Sequence, residues 1–141
     1  MNLNQAILIA AKAHQNQVDK AGKPYILHPI RVMMKMEDEI EQIVAVLHDV
    51  LEDCPDYNEE SLREEGFSSE VIEALSVLNR SNYPDYQSYI YNIVRNPIAR
   101  MVKLADLEDN INVLRLNTIT EKDFERIKKY HWAHLFLLNQ Q

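Results

Sequence analysis

Residues Ala45-Val46-Leu47-His48-Asp49-Val50-Leu51-Glu52-Asp53 set an adjacent His-Asp pair and a following Glu-Asp pair into an otherwise apolar run. Read with a period of 3.6, Ile40, Ile43, Val44, Leu47, Val50 and Leu51 form a core stripe, with His48 and Asp49 at its edge. Glu52 then lies one turn after His48, and Asp53 one turn after Asp49. Burying an imidazole and up to three carboxylates costs on the order of several kcal/mol unless partners or a metal ion compensate. A dry structural role is hard to sustain on those terms, and a metal site removes the difficulty.

Two further constellations stand apart from this one. In Met101-Val102-Lys103-Leu104-Ala105-Asp106-Leu107-Glu108-Asp109-Asn110, the spacing of Lys103, Asp106 and Asn110 puts them on one side of a helix. Glu108 and Asp109 read as ordinary exposed charges. In Pro24-Tyr25-Ile26-Leu27-His28-Pro29, a histidine between short apolar flanks sits in a rigid proline frame. A lone histidine is more often structural than a ligand, so each fragment is weak alone.

The elements that must position these residues read as helices almost throughout. Residues 3–16 fit an amphipathic helix, and 17–29, with Gly22, Pro24 and Pro29, an ordered loop feeding a helix near Pro29–Met36. A third helix spans about 39–52 and stops before Pro55. Asn58 caps a short helix ending at Gly66, and Ser68 a further one through Leu78. Pro84 opens a segment to about Arg95, Pro97 a long helix to about Leu116, and Thr120 with Asp123 forms a capping box for a last helix to Leu138. No strand-like alternation, repeat or linker is present, so the fold class is an all-α bundle in a single domain, 1–141.

Composition bounds the partners. A net charge of −7 and a pI near 5.2 exclude a nucleic-acid surface or an anionic membrane as the main partner, while leaving room for a local basic pocket. The single cysteine, Cys54, forms no internal disulfide. No signal peptide and no apolar run of roughly 18 or more residues is present, and a soluble cytoplasmic protein is expected.

The pieces occur in one order: Ala10–His14 with Gln17, Lys20-Ala21-Gly22-Lys23-Pro24-Tyr25-Ile26-Leu27-His28-Pro29, Leu47-His48-Asp49 with Glu52-Asp53, Val102-Lys103-Leu104-Ala105-Asp106 with Asn110, and Tyr130. In this order and spacing the chain resembles the HD-domain superfamily of metal-dependent phosphohydrolases. Within it, the chain is similar to the (p)ppGpp hydrolase domain of RelA/SpoT-type proteins and their small stand-alone relatives.

The resemblance implies a single-domain HD-type helical bundle with a central metal site. It assigns His28, His48, Asp49 and Asp106 as ligands of one divalent ion: Mn²⁺, with Fe²⁺, Ni²⁺ or Zn²⁺ also able to occupy a mixed N/O set. It makes Glu52 and Asp53 the acids that orient or deprotonate an attacking water. Lys20, Lys103, Asn110 and Tyr130 fall at positions that touch the nucleotide in similar proteins. The chain departs from the pattern at Asp19, where such hydrolases usually carry a base-facing basic residue, and in the run Leu107–Asn112.

Three functions follow as expectations: removal of the 3′-diphosphate of (p)ppGpp to give GDP or GTP and pyrophosphate, phosphohydrolysis of another small nucleotide, or non-catalytic nucleotide binding. A retired site has no evident reason to keep the six polar groups His28, His48, Asp49, Glu52, Asp53 and Asp106, which argues against the last.

Overall fold

The computed structural model describes residues 1–140. Its elements are α1 (Leu3–Ala13), α2 (Leu27–Met34), α3 (Glu39–Leu47), α4 (Val50–Asp53), α5 (Glu59–Glu64), α6 (Ser69–Leu78), α7 (Tyr86–Ile93), α8 (Pro97–Asn110) and α9 (Glu121–Leu138), with 3₁₀ turns at Arg80–Asn82 and Val113–Arg115. Among the described residues the one β feature is an isolated Val18–Pro24 bridge. No helix among them is long and apolar enough to cross a membrane.

Helix α3 is the axis of the bundle and packs against α1, α2, α6 and α8. It is buried all round, since Ile43, Val44, Ala45, Val46 and Leu47 are each at most 1% exposed. A leucine so enclosed leaves a cavity when truncated, and Leu47→Ala is worth about 2–5 kcal/mol of stability. The caps expected from sequence are in place: Asn58 Oδ1 accepts from Ser61 N at 2.8 Å, Ser68 Oγ from Val71 N at 3.4 Å, and Thr120 and Asp123 close a reciprocal box. Gly66 adopts φ +93° just past α5, a conformation that favours glycine, and ends that helix.

The boundaries depart from the sequence reading in four places. Helix α1 stops at Ala13 because His14 turns inward, its Nδ1 bonded to Gln17 at 2.7 Å. Helix α2 begins earlier than expected, at Leu27, where His28 N bonds Tyr25 O at 3.0 Å. Asp85 rather than Pro84 starts α7, because its carboxylate caps Ser88 N at 2.7 Å. Helix α8 ends at Asn110, and Asn112 Oδ1 then accepts from Leu114 N at 3.3 Å, the local competition for backbone donors that favours turns over helix.

The expected helix over 39–52 is broken within the His-Asp pair itself. His48 N reaches Ala45 O at 3.4 Å, and its ring Nδ1 lies 2.6 Å from the same oxygen. The chain recovers helical bonding from Asp53 N to Asp49 O at 2.9 Å. A tight turn therefore separates α3 from α4 and changes the direction in which Glu52 and Asp53 leave the core.

Candidate active site

Four side chains from two helices and one turn converge. His28 comes from α2, His48 and Asp49 from the α3–α4 turn, and Asp106 from α8. His28 Nε2 lies 2.9 Å from Asp106 Oδ1 and 3.7 Å from Asp49 Oδ2, and His48 Nε2 is 3.2 Å from each of those oxygens. His28, His48 and Asp106 are buried and Asp49 is nearly so. Two imidazole nitrogens and two carboxylate oxygens facing one point form a donor set that fits a divalent cation with mixed N/O preference.

The other ring nitrogens are held from behind. His48 Nδ1 is 2.6 Å from the Ala45 carbonyl, which can only accept, so that nitrogen donates and Nε2 is left as the free base. His28 Nδ1 is 2.6 Å from Asp109 Oδ2, and Arg31 clamps the same carboxylate through Nε at 2.7 Å and Nη2 at 2.9 Å. Asp109 is thus buried and fully engaged, not the exposed charge that the sequence suggested. Its spacing from Asp106 gave no signal, because its partners are 78 and 81 residues away.

Electrostatics follow from this packing. Burial works against charging His28 and His48, but their neighbouring carboxylates outweigh it and raise both. Burial would likewise raise Asp106, yet Lys103 and the two histidines hold it well below the usual carboxylate range, and His48 helps hold Asp49 at about 2 despite its burial. The cluster is built to hold positive charge between its carboxylates. Lys103 Nζ sits 2.9 Å from Asp106 Oδ2 and 5.0 Å from the centre of the Tyr89 ring, so the ammonium is engaged by protein groups at the base of the site. Asn110 Nδ2 donates to Asp106 Oδ1 at 3.0 Å. Lys103 and Asn110, two of the residues expected to touch substrate, therefore both bond Asp106. Tyr25, which the sequence offers only as part of the proline-framed motif, donates its hydroxyl to Asp49 Oδ2.

Glu52 and Asp53 flank the cluster at its open side. Burial and the Asp49 charge raise Glu52, whose Oε1 accepts from Arg80 N at 3.0 Å. Burial, Asp49 and Glu52 push Asp53 up to about 6. A carboxylate near that value can accept a proton close to neutral pH.

All of this opens into a cavity of about 520 Å³. His28, Asp49, Glu52, Asp53, Lys103, Asp106 and Asn110 line one end, and Lys20 and Tyr130 line its walls. Arg80, Tyr86, Arg115, Arg126 and Lys129 also line it, and sequence reasoning singled out none of them. They come from the two 3₁₀ turns and from α7 and α9, elements whose approach to the cavity only the fold reveals. Asp19 lines the cavity too, but Ala21 N and Lys23 N donate to its Oδ1 at 2.8 and 3.0 Å, and Arg115 Nη1 lies 3.5 Å from its Oδ2.

No protein-family model matches the chain. It is 31% identical over 126 residues to a guanosine-3′,5′-bis(diphosphate) 3′-pyrophosphohydrolase of Vibrio cholerae, and 32% identical over 125 residues to the bifunctional (p)ppGpp synthase/hydrolase SpoT of Escherichia coli. Each match covers 79% of this chain and 18% of the relative. A solved structure described as a metazoan ortholog of SpoT that hydrolyses ppGpp superposes with a TM-score of 0.77 at 25% identity, over 97% of this chain and 85% of that one. Over most of its own length this chain is similar to SpoT-type hydrolases. The match to the curated relatives spans about a fifth of their length, whereas the solved structure superposes over nearly all of the chain.

Proposed function

We propose that this HD-type domain is a metal-dependent hydrolase that removes the 3′-diphosphate of (p)ppGpp, releasing GDP or GTP and pyrophosphate. The observation that carries the reading is the convergence of His28, His48, Asp49 and Asp106 at one end of a cavity whose walls bear Lys20, Arg80, Arg126 and Lys129. The relatives named for this reaction supply the substrate class.

In this reading the four converging residues hold one divalent ion, with Mn²⁺ favoured by the mixed N/O donors. The bound ion supplies Lewis acidity, lowering the pKa of a water and polarising a phosphoryl oxygen. Asp53 takes one proton of the water as its oxygen bonds phosphorus, the bond from that phosphorus to the ribose 3′ oxygen breaks, and the proton passes to the departing 3′ oxygen, which leaves as the hydroxyl of GDP or GTP. Glu52, fixed by the Arg80 amide, orients the water, and Asp53, raised to about 6, is the better proton acceptor near neutrality. Lys103 keeps Asp106 ionised and directed at the ion, Tyr25 does the same for Asp49, and the wall cations receive the diphosphates.

Hydrolysis of a different nucleotide is a second reading, favoured by the acidic residue at position 19. Incubating Mn²⁺-loaded protein with a nucleotide panel that includes ppGpp, and identifying products, separates the two. Pyrophosphate and GDP released from ppGpp support the first. No metal-dependent release from ppGpp by protein with its ion bound refutes it, and turnover of another nucleotide installs the second.

A further inference from the structure

The cavity walls divide by charge compensation. Lys20, Arg80, Arg126 and Lys129 line the cavity together. Arg126 is ion-paired with Asp123, while Lys20 is held below its ordinary range first by burial and then by Arg126 and Lys129, against the opposing pull of Asp123, and Lys129 by burial and then by Arg80, Lys103 and Arg126. Cations that repel one another across a concave surface take anions, so this wall suits phosphate groups. Arg115, like Arg126, is ion-paired, but its acidic partner lines the cavity beside it. Its guanidinium faces Asp19 Oδ2 at 3.5 Å, forming a pair with no net charge, and Val18 and Leu116 line the cavity along with them. The part of a nucleotide that suits a neutral, partly apolar wall is the uncharged base.

Building on the (p)ppGpp reading, we propose that Arg115 is the specificity-determining residue for guanine, with Asp19 and Asp109 as its positioning residues. Of the five guanidinium N–H donors, one points to Asp19 and one to the Asp109 carbonyl at 3.3 Å, both long contacts, and Nε–H has no partner among the described residues. Guanine presents two adjacent acceptors, O6 and N7, which suit a guanidinium fork; adenine sets an amino donor beside its N7 and repels one of the fork's hydrogens. Asp19 cannot wander, because two loop amides bond its other oxygen, and the Val18–Pro24 bridge closes that loop. Asp109 is fixed by Arg31 and His28. The acidic residue at position 19 thus serves guanine recognition by holding a cation that arrives from the turn after α8.

The test is calorimetric binding of GDP and ADP to Mn²⁺-loaded wild type, Arg115→Leu, Arg115→Lys and Asp19→Asn, beside kcat/KM for ppGpp and its adenosine counterpart. Wild type prefers GDP; Arg115→Leu, with unchanged Tm and metal content, lowers the GDP-to-ADP preference by about tenfold, the order expected of one bidentate contact. Asp19→Asn lowers it in the same direction by less, and Arg115→Lys retains part of it. Equal affinity of wild type for GDP and ADP overturns the proposal, as does an unchanged ratio in Arg115→Leu or an equal loss for both nucleotides. If Arg115→Leu does not fold, an unchanged ratio in Asp19→Asn and Arg115→Lys overturns it. A guanine preference in a protein that does not hydrolyse ppGpp refutes the hydrolase reading alone.

Discussion

Replacing Asp109 by alanine probes whether the cluster is held from behind as tightly as its distances indicate. The change removes the acceptor 2.6 Å from His28 Nδ1 and the carboxylate clamped by Arg31. Arg31 is 37% exposed, so water replaces most of what it loses. His28 is buried, and its Nδ1–H left without an acceptor costs about 1–3 kcal/mol of stability. Ion affinity falls separately, because the ring is then free to rotate and to move its proton to Nε2. Loss of such an outer partner weakens metal binding by about 10–100-fold, equivalent to about 1.4–2.8 kcal/mol. Asp109→Asn keeps an acceptor oxygen and orients the ring, so it loses distinctly less. Chelator competition for Mn²⁺ measures the affinities, and calorimetric unfolding of the metal-free proteins measures stability. Mn²⁺ affinity in Asp109→Ala within twofold of wild type refutes the reasoning, and so does an Asp109→Asn variant as impaired as the alanine.

Other perturbations separate the roles of the cluster. His48→Ala or Asp106→Ala abolishes retention of the ion, whereas Glu52→Gln keeps ion and fold and lowers turnover by about 10²–10⁴-fold; elemental analysis beside turnover checks this, and equal metal loss in all three makes Glu52 a ligand. Lys103→Met leaves Asp106 Oδ2 without its ammonium while His28, His48 and Asn110 still hold Oδ1, costs the metal-free protein about 1–3 kcal/mol, and lowers its Tm by several degrees, with a smaller drop once Mn²⁺ is added. The chelated protein is most stable between about pH 4 and 6.5. Asp49 and Asp106 have depressed folded values, so their contribution is lost as pH falls below about 4. His28 and His48 have raised folded values, so theirs is complete below about 6.5 and lost as pH rises through those values. Mn²⁺ shifts the optimum upward, because it requires unprotonated imidazoles; an optimum that does not move with the ion contradicts the site.

The parts of the fold legible in the sequence were those set locally. Asn58, Ser68 and Thr120 cap their helices within three residues of themselves, and α6 and α9 begin and end where their caps and periodicity place them. The break at His48-Asp49 was not legible, because uninterrupted apolar periodicity hides a turn fixed by a side chain bonding back to Ala45. His28, His48, Asp49 and Asp106 were chosen from motif order, and the fold brings them together. Asp109, Arg115 and Lys129 were missed for one reason. Each acts through partners distant in sequence, and on its own helix or turn each looks like a solvated charge.

An acidic protein that receives a polyanion must solve a problem of sign. The end of the cavity proposed to hold the ion carries Asp49, Glu52, Asp53 and Asp106, against which the fold sets the Lys103 ammonium and the imidazoles of His28 and His48. Burial first and then the neighbouring carboxylates raise Glu52 and Asp53 there, a balance that disfavours phosphate until a cation is added. The wall of Lys20, Arg80, Arg126 and Lys129 lies in the same cavity and attracts phosphate whether or not an ion is bound. If the substrate is the proposed (p)ppGpp, one diphosphate would have a place in the metal-free protein, and the other would acquire one only when a divalent ion reverses the charge at the far end. On the proposed reading the ion would then be as much a condition of substrate orientation as of reaction: a nucleotide entering before it would have no reason to present its 3′ side to Glu52 and Asp53.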